Sequence, residues 1–256
     1  MEMNILAVGD VVGNAGLSFL EKNLRRIQRQ LAIDFTVVNG ENAAMNGLFP
    51  NQAEAILNAG ADVITLGNHT FGKEALTHYL DDCPYILRPA NLAPQCPGRG
   101  YAVYETARGS VCVISLIGRC GMNFGPDNPF LEVDRILKRT ETPLVILDFH
   151  AEATSEKGAM GWYLDGRISA LWGTHTHVQT ADAQVLPHGT GFVTDLGMTG
   201  PRDSVLGIDP RQSISLFLGN PPQRYAEAPG PCKLECARFT VDPASGRCRS
   251  AEAFCF

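Results

Sequence analysis

Residues 168 to 178 read Ile-Ser-Ala-Leu-Trp-Gly-Thr-His-Thr-His-Val. The segment from Ile168 to Trp172 is short and apolar, and Gly173 follows it, which is typical of a buried strand that opens into a loop. His175 and His177 are therefore expected together at the end of a strand. Because histidine is the commonest metal ligand among side chains, this stretch predicts a metal site at a strand end.

Four other parts of the chain repeat this order, with an apolar strand followed by a polar side chain. The predicted strands cover residues 5–8, 34–38, 62–66 and 144–147. The polar residues that follow them are Asp10, Glu41, Asn42, Asn68, His69 and His150. Ligands of α/β sheets gather at the carboxyl ends of the strands, so these side chains should converge with His175 and His177.

The pattern between and after these strands indicates an α/β fold. Helical spacing or helix start and stop signals predict helices over residues 16–31, 50–59 and 73–80, and another within 126–139. Hairpins are predicted for residues 101–106 with 111–117, 183–186 with 191–194, and 232–241 with 247–254. Residues 213–218 are predicted as a further strand. We expect mixed sheets covered by helices in one domain that spans residues 1–256.

The composition is that of an ordinary globular protein, with 45% hydrophobic and 19% charged residues. A net charge of -6 argues against binding of long nucleic acid or of an anionic membrane through a large positive surface. Neither a secretory signal nor a long apolar span is recognisable, so a cytoplasmic location is expected. The eight cysteines are then expected to be free thiols, although Cys232, Cys236, Cys248 and Cys255 leave a structural zinc site as an alternative.

The supply of ligands favours more than one metal ion. Aspartate, glutamate, asparagine and histidine together give about seven ligands, whereas a tetrahedral zinc ion takes four. Two ions that share a bridging carboxylate would use all of them, as in two-metal phosphatases and nucleases. Mixed oxygen and nitrogen ligands without thiolate favour iron or manganese.

These motifs resemble those of the calcineurin-like metallophosphoesterases, in the same order over roughly the first 180 residues. Two departures are a Val11-Val12 pair where the superfamily usually has Asp-x-His, and Glu41 in place of a bridging aspartate. In both departures the chain resembles the YmdB-like branch, whose members are described as 2′,3′-cyclic nucleotide 2′-phosphodiesterases. The segments HAEATSEK from His150, GWYLDGR from Gly161, GTHTHVQTAD from Gly173 and TDLGMTGP from Thr194 agree with that branch.

The resemblance implies a fold, a ligand set and a mechanism. The fold would be a metallophosphoesterase-type α/β/β/α sandwich with helices on the outer faces. Asp10, Glu41 and His177 would bind a first metal, and Glu41 would bridge to a second that is held also by Asn42, Asn68, His150 and His175. A hydroxide between the two ions would attack phosphorus, and His69 would protonate the ribose oxygen that leaves. Thr70 follows His69 where the superfamily often has an acid, so the group that orients His69 stays open.

Two other functions stand beside a small-molecule phosphodiesterase. One is a broader phosphomonoesterase or nuclease, and the other is a nucleotide-binding regulatory protein with incidental turnover; a homo-oligomer is compatible with each. Gln179 stands where a metallo-β-lactamase would have aspartate, which argues against that class. Arg119 and Arg202 are expected to be solvated loop residues rather than phosphate ligands. Trp162 and Phe124 are expected to pack in the core rather than stack on a base.

Overall fold

The computed structural model describes residues 2–122 and 125–256. Its strands fall into two sheets. The first sheet holds β1 Met3–Val8, β2 Asp10–Val11, β3 Phe35–Asn39, β4 Val63–Thr65, β5 Ile86–Leu87, β12 Met198–Pro201, β13 Cys232–Val241 and β14 Cys248–Cys255. The second sheet holds β6 Tyr101–Thr106, β7 Gly109–Ile117, β8 Leu144–His150, β9 Ala170–Thr174, β10 Gln184–Val185 and β11 Gly191–Val193. Both are mixed sheets.

Six helices connect or follow these strands in the described part of the chain. They are α1 Gly13–Gln30, α2 Pro50–Ala59, α3 Glu74–Tyr79, α4 Pro129–Leu137, α5 Thr154–Leu164 and α6 Pro210–Phe217. Helix α1 follows the predicted apolar period, because Leu17, Leu20, Leu24 and Ile27 are all buried on one face. No helix among the described residues is long and apolar enough to cross a membrane.

Parallel pairing sets the direction of the strands that matter most. In the first sheet β1 pairs in parallel with β3, and β3 with β4. In the second sheet β8 lies parallel to β7 and to β9. The carboxyl ends of parallel neighbours lie at the same edge of a sheet, so each sheet presents its polar strand ends together.

Alternating side chains divide the interior into three layers of apolar packing. Ile5 and Val37 of the first sheet share one cluster with Val113 and Ile146 of the second, so the two sheets pack face to face. The alternate residues of the first sheet pack against helices α1 to α3. Those of the second sheet pack against α4 and α5. This order of layers confirms the expected α/β/β/α sandwich.

The predicted strand over residues 213–218 is wrong. Residues 213–217 lie in α6, and Leu218 is its C-cap. The helix begins after Asp209, whose carboxylate accepts a hydrogen bond from the Arg211 backbone nitrogen. Pro210 occupies the first position, where a missing N–H costs nothing. The alternation of serine with apolar residues imitated a strand, but Phe217 is 86% exposed and Leu218 76% exposed.

The predicted hairpins and free cysteines are confirmed. The three hairpins form through antiparallel pairs of β6 with β7, β10 with β11, and β13 with β14. All eight cysteines are free thiols. Cys236 and Cys248 are buried, and burial raises the pKa of the Cys248 thiol to about 12. These two thiols therefore act as apolar core groups.

Candidate metal centre

The polar strand ends of both sheets meet at one place. Glu41 and Asn68 follow β3 and β4 of the first sheet, and His150 and His175 come from the ends of β8 and β9 in the second. A glycine allows the close approach, since a Cβ on Gly67 would overlap the His150 ring. The predicted convergence of distant strand ends is thus present in the fold.

Four of the predicted residues meet around one nitrogen atom. His150 Nε2 lies 2.9 Å from Glu41 Oε1, 2.9 Å from Asn68 Oδ1 and 3.0 Å from His175 Nδ1. His150 and Glu41 are fully buried. Ligand atoms of Glu41, His150 and His175 all lie within 4.8 Å of one another, a spacing at which one metal ion can contact all three.

Asp10, Asn42 and His177 form a second group beside the first. Asn42 Nδ2 lies 3.3 Å from Asp10 Oδ1 and 3.2 Å from His177 Nε2, and the Asp10 and His177 atoms are 3.7 Å apart. The resemblance placed Asn42 on the second metal with Asn68, His150 and His175. That assignment stays a prediction, and the contacts of the Asn42 amide nitrogen with Asp10 and His177 favour a place beside the first metal.

Glu41 lies between the two groups. Its Oε1 atom is 2.9 Å from His150 Nε2 and 3.4 Å from Asn42 Nδ2, and its Oε2 atom accepts a hydrogen bond from the His69 backbone nitrogen at 3.1 Å. A carboxylate that reaches both groups has the position that a bridging ligand needs.

A chain of hydrogen bonds fixes the orientation of the His150 ring. Thr174 Oγ1 donates to Asp148 Oδ1 at 2.7 Å, so this hydroxyl accepts from His150 Nδ1 at 2.9 Å. The proton of a neutral His150 ring is then on Nδ1, and the lone pair of Nε2 faces the ligand group. Burial raises the pKa of Asp148 to about 6, although hydrogen bonds from Thr65 and Thr174 act to lower it.

The other two histidines also have partners at their second nitrogens. His175 Nε2 lies 3.1 Å from the Glu152 carboxylate, and His177 Nδ1 donates to the Leu206 carbonyl oxygen at 3.1 Å. The nitrogens that face the two groups are His175 Nδ1 and His177 Nε2. Each ring is therefore held by a contact on its far side, as metal-binding histidines usually are.

The loop that carries these histidines is strained. His175 has a φ of 100° and His177 a φ of 62°, in the left-handed region, which costs on the order of 1–3 kcal/mol at each residue. The loop is held by Asp10, whose Oδ2 accepts from the His175 backbone nitrogen at 3.1 Å. It is also held by Asp195, whose Oδ2 accepts from the Thr176 hydroxyl at 2.8 Å.

Asp195 and Lys157 form an ion pair that the sequence reasoning missed. Lys157 Nζ lies 2.6 Å from Asp195 Oδ2, and both side chains are almost fully buried. A buried charge is stable only when it is paired, so this contact fixes both α5 and the end of β11 against the histidine loop. Lys157 and Asp195 lie in the HAEATSEK and TDLGMTGP segments, whose agreement with the YmdB-like branch was the available signal.

The electrostatics of the centre fit a cation. Burial acts to lower the pKa of His150, but the Glu41, Asp10 and Asp148 carboxylates outweigh it and raise that pKa to about 9. Burial acts to raise the pKa of Asp10 and of Glu41, yet the neighbouring histidines hold both pKa values below their usual range. Fully buried carboxylates need a positive partner, and a metal ion would take the place of the proton on His150.

His69 lies at the edge of the first group and is oriented by its sequence neighbour. Asn68 Oδ1 faces His150, so the Asn68 amide nitrogen donates to His69 Nε2 at 3.2 Å. An amide nitrogen only donates, and the proton of a neutral His69 ring is therefore on Nδ1. Thr70 does not take the place of the missing acid, because its hydroxyl donates to the Gly67 carbonyl oxygen at 2.6 Å.

A cavity of about 630 Å³ opens over this centre and is lined by Glu41, Asn42, His69, His175 and His177.

The arginines that the sequence analysis considered as phosphate ligands, Arg119 and Arg202, are exposed, as expected. Trp162 is 64% exposed on α5, so the expected core packing is wrong for this residue. Phe124 lies outside the described residues. Gln179 has a structural contact, since its amide nitrogen donates to the Phe254 carbonyl oxygen at 3.1 Å.

Both a family model and a curated protein match nearly the whole chain. A family model described as YmdB-like protein matches residues 6–254. The 2′,3′-cyclic-nucleotide 2′-phosphodiesterase of Bacillus subtilis (strain 168) is 43% identical over 245 residues, which make up 94% of this chain and 92% of that protein.

Two solved structures share the whole fold. A hypothetical protein from Thermus thermophilus superposes with a TM-score of 0.92 at 35% identity, and the match covers 99% of each chain. A novel phosphatase from Mycoplasma pneumoniae gives a TM-score of 0.94 at 31% identity, covering 100% of this chain and 94% of that one.

Proposed function

The chain belongs to the YmdB-like protein family, and from that premise we propose that it is a metal-dependent phosphodiesterase that opens 2′,3′-cyclic nucleotides to 3′-nucleotides. The observation that carries this proposal is the meeting of Glu41, Asn68 and His175 at His150 Nε2. Such a group binds cations, and the cavity above it has room for a small substrate.

We assign two ions, iron or manganese, to the centre. Asp10, Asn42 and His177 would hold one ion, and Asn68, His150 and His175 the other, with Glu41 shared between them. When bound, the ions would supply positive charge that activates water and stabilises the charge on the phosphoryl oxygens. Nitrogen and oxygen ligands without thiolate suit these metals.

The remaining chemistry is assigned to His69. Hydrolysis forms a bond between the water oxygen and phosphorus and breaks the bond between phosphorus and O2′. The O2′ atom then needs a proton, which we assign to an imidazolium form of His69 that becomes the neutral ring once the proton has been given. The phosphate stays on O3′, so the product is the 3′-nucleotide. We expect this reaction to take place in the cytoplasm.

Product analysis tests the proposal most directly. Protein loaded with manganese is incubated with 2′,3′-cyclic AMP, 3′,5′-cyclic AMP and a chromogenic phosphodiester, and the products are separated by chromatography. We expect adenosine 3′-phosphate from the first substrate at the highest rate. A Glu41→Gln protein prepared in the same way shows whether a contaminating enzyme contributes.

The other outcomes separate the alternative functions. Adenosine 2′-phosphate as the product would contradict the assigned bond. Further conversion to adenosine would indicate a broader phosphomonoesterase. Binding of the nucleotide without turnover would favour the regulatory role and would overturn the proposed activity.

A further inference from the structure

A second cavity adjoins the one over the metal centre. It has a volume of about 610 Å³, and the two cavities share a wall made of Ala44, Met45, Lys73, Arg224 and Tyr225. The shared residues place the two cavities side by side along one groove. Its far part is lined also by Phe49, an aromatic side chain that is 42% exposed.

Lys73 lies on the wall between the two cavities. It follows the His69 loop, in which the Gly72 backbone nitrogen donates to the His69 carbonyl oxygen at 2.9 Å. Its side chain crosses Gly47, where a Cβ would lie 3.0 Å from Lys73 Cγ, and ends 5.3 Å from the centre of the Phe49 ring. Lys73 forms no ion pair with any residue that the structure describes.

Arg224 lines the same wall and belongs to the segment that follows α6. Its backbone is fixed, since Gln212 Nε2 donates to the Arg224 carbonyl oxygen at 3.0 Å and Gln212 Oε1 accepts from the Ala226 nitrogen at 2.7 Å. Its guanidinium has no carboxylate partner within residues 2–122 and 125–256. Tyr225, beside it, is 43% exposed.

The acidic residue of the second cavity has partners other than these cations. Glu227 lines the second cavity, but its two carboxylate oxygens accept hydrogen bonds from the Asn14 and Ala15 backbone nitrogens, each at 2.9 Å. Glu41 and Glu152, the acidic residues of the first cavity, face His150 and His175 instead, so the two cations of the shared wall are left to meet an anion. Such a site is suited to an anion that is separate from the metal-bound phosphate.

We propose that the Lys73 and Arg224 side chains bind a phosphate on O5′ of the substrate. This inference rests on the proposed function, which places the cyclic phosphate at the metal centre. In a nucleoside 2′,3′-cyclic phosphate, O5′ lies on the side of the ribose away from O2′ and O3′. A phosphate there would reach the shared wall, while the base could stack on Tyr225. The preferred substrate class is therefore a 2′,3′-cyclic phosphate that also has a 5′-phosphate group.

Three substrates test this preference. They are 2′,3′-cyclic AMP, its 5′-phosphorylated form, and the dinucleotide ApA with a terminal 2′,3′-cyclic phosphate. We expect kcat/KM to be about tenfold higher for at least one of the two substrates with a phosphate on O5′. A faster reaction of the 5′-phosphate monoester identifies mononucleotides as the source, and a faster reaction of the dinucleotide identifies the ends of short RNA. Equal values for all three substrates would overturn the proposal.

Variants show whether these two cations are responsible. Lys73→Met and Arg224→Met should each remove most of the preference while leaving kcat/KM for 2′,3′-cyclic AMP near that of the unchanged protein. Lys22→Met removes one exposed positive charge from α1 and should keep the preference. Equal losses of kcat/KM for all three substrates would mean that the cations act on the cyclic phosphate, which contradicts the proposal. A preference for the O5′-phosphate that survives in both variants would contradict it as well.

A binding measurement separates this inference from the proposed activity. Titration calorimetry of the manganese-loaded protein compares adenosine 3′,5′-bisphosphate with adenosine 3′-phosphate. We expect the bisphosphate to bind about tenfold more tightly, and the difference to disappear in Lys73→Met. This result would stand even if no turnover were observed. Equal affinity for the two ligands would overturn the O5′-phosphate site and leave the proposed activity to its own test.

Discussion

The two sides of the catalytic groove are built in different ways. At the metal centre His150 and Glu41 are fully buried at the ends of central strands, and the His150 ring is held through Thr174 and Asp148. The opposite side is a rim segment, residues 204–228, which contains α6 and many exposed residues. The rim segment meets the centre at the Leu206 carbonyl oxygen, which accepts from His177 Nδ1.

This difference indicates that the centre and the rim segment have different roles. Metal ligands need positions that vary little, and only a packed core with complete hydrogen bonding holds polar atoms so firmly. A surface that recognises the rest of a substrate needs less rigidity, and loops provide it. Substitutions at the centre should therefore affect metal binding and turnover, whereas substitutions in the rim segment should affect substrate affinity.

The largest effect is expected for Glu41→Gln, because Glu41 touches both ligand groups. The loss of one carboxylate charge should lower metal content and reduce kcat by about a thousandfold. Metal analysis by mass spectrometry and steady-state kinetics measure both quantities. Glu141→Gln, a change at an exposed loop residue, is the matched control. Full metal content and normal turnover in Glu41→Gln would refute the bridging position.

The next effect is expected for His69→Ala, which separates proton transfer from metal binding. Its imidazole lies outside the main ligand contacts, so metal content should be unchanged while kcat falls about a hundredfold or more. Kinetics with 2′,3′-cyclic AMP and metal analysis on the same sample check this. His78→Ala changes an exposed histidine of α3 and should alter neither quantity. Unchanged turnover in His69→Ala would remove its assigned role.

A smaller effect is expected for Thr174→Val, which breaks the hydrogen-bond chain behind His150. Metal affinity should fall about tenfold to a hundredfold, because the ring loses the partner that fixes its orientation. Competition with a chelator measures the affinity. Thr190→Val is the control, since its buried hydroxyl donates to the Ile168 carbonyl oxygen far from the ligands. If both variants lost stability but neither lost metal affinity, the hydrogen bonds behind His150 would stabilise the fold without affecting metal binding.

The smallest effect is expected in the rim segment for Glu227→Gln. Glu227 joins the rim segment to the positive end of α1, and loss of its charge should reduce the free energy of unfolding by about 0.5–1 kcal/mol. KM for 2′,3′-cyclic AMP should rise severalfold, because the rim segment is held less firmly, while metal content stays the same. Glu21→Gln, on the exposed face of α1, is the control. A loss of metal in Glu227→Gln would show that rim and centre are not independent.

Sequence reasoning predicted which strand ends meet, because the signals that mark them are local. A run of apolar residues, a glycine and a polar residue is visible without knowledge of the fold, and it marked Asp10, Glu41, Asn68, His150 and His175. It failed at residues 213–218 because alternation is also compatible with an exposed helix when a cap such as Asp209 precedes it. It also failed at Trp162, since side-chain size does not determine burial.

The sequence by itself determined most of the elements and the polar residues at the ends of the predicted strands, because both depend on neighbours along the chain. Only the tertiary structure decided which atoms meet. It put Asn42 beside Asp10 and His177, paired Lys157 with Asp195 across 38 positions, and brought Arg224 to the wall that holds Lys73. Such contacts depend on distances through space, which are set when the sheets and helices pack against one another.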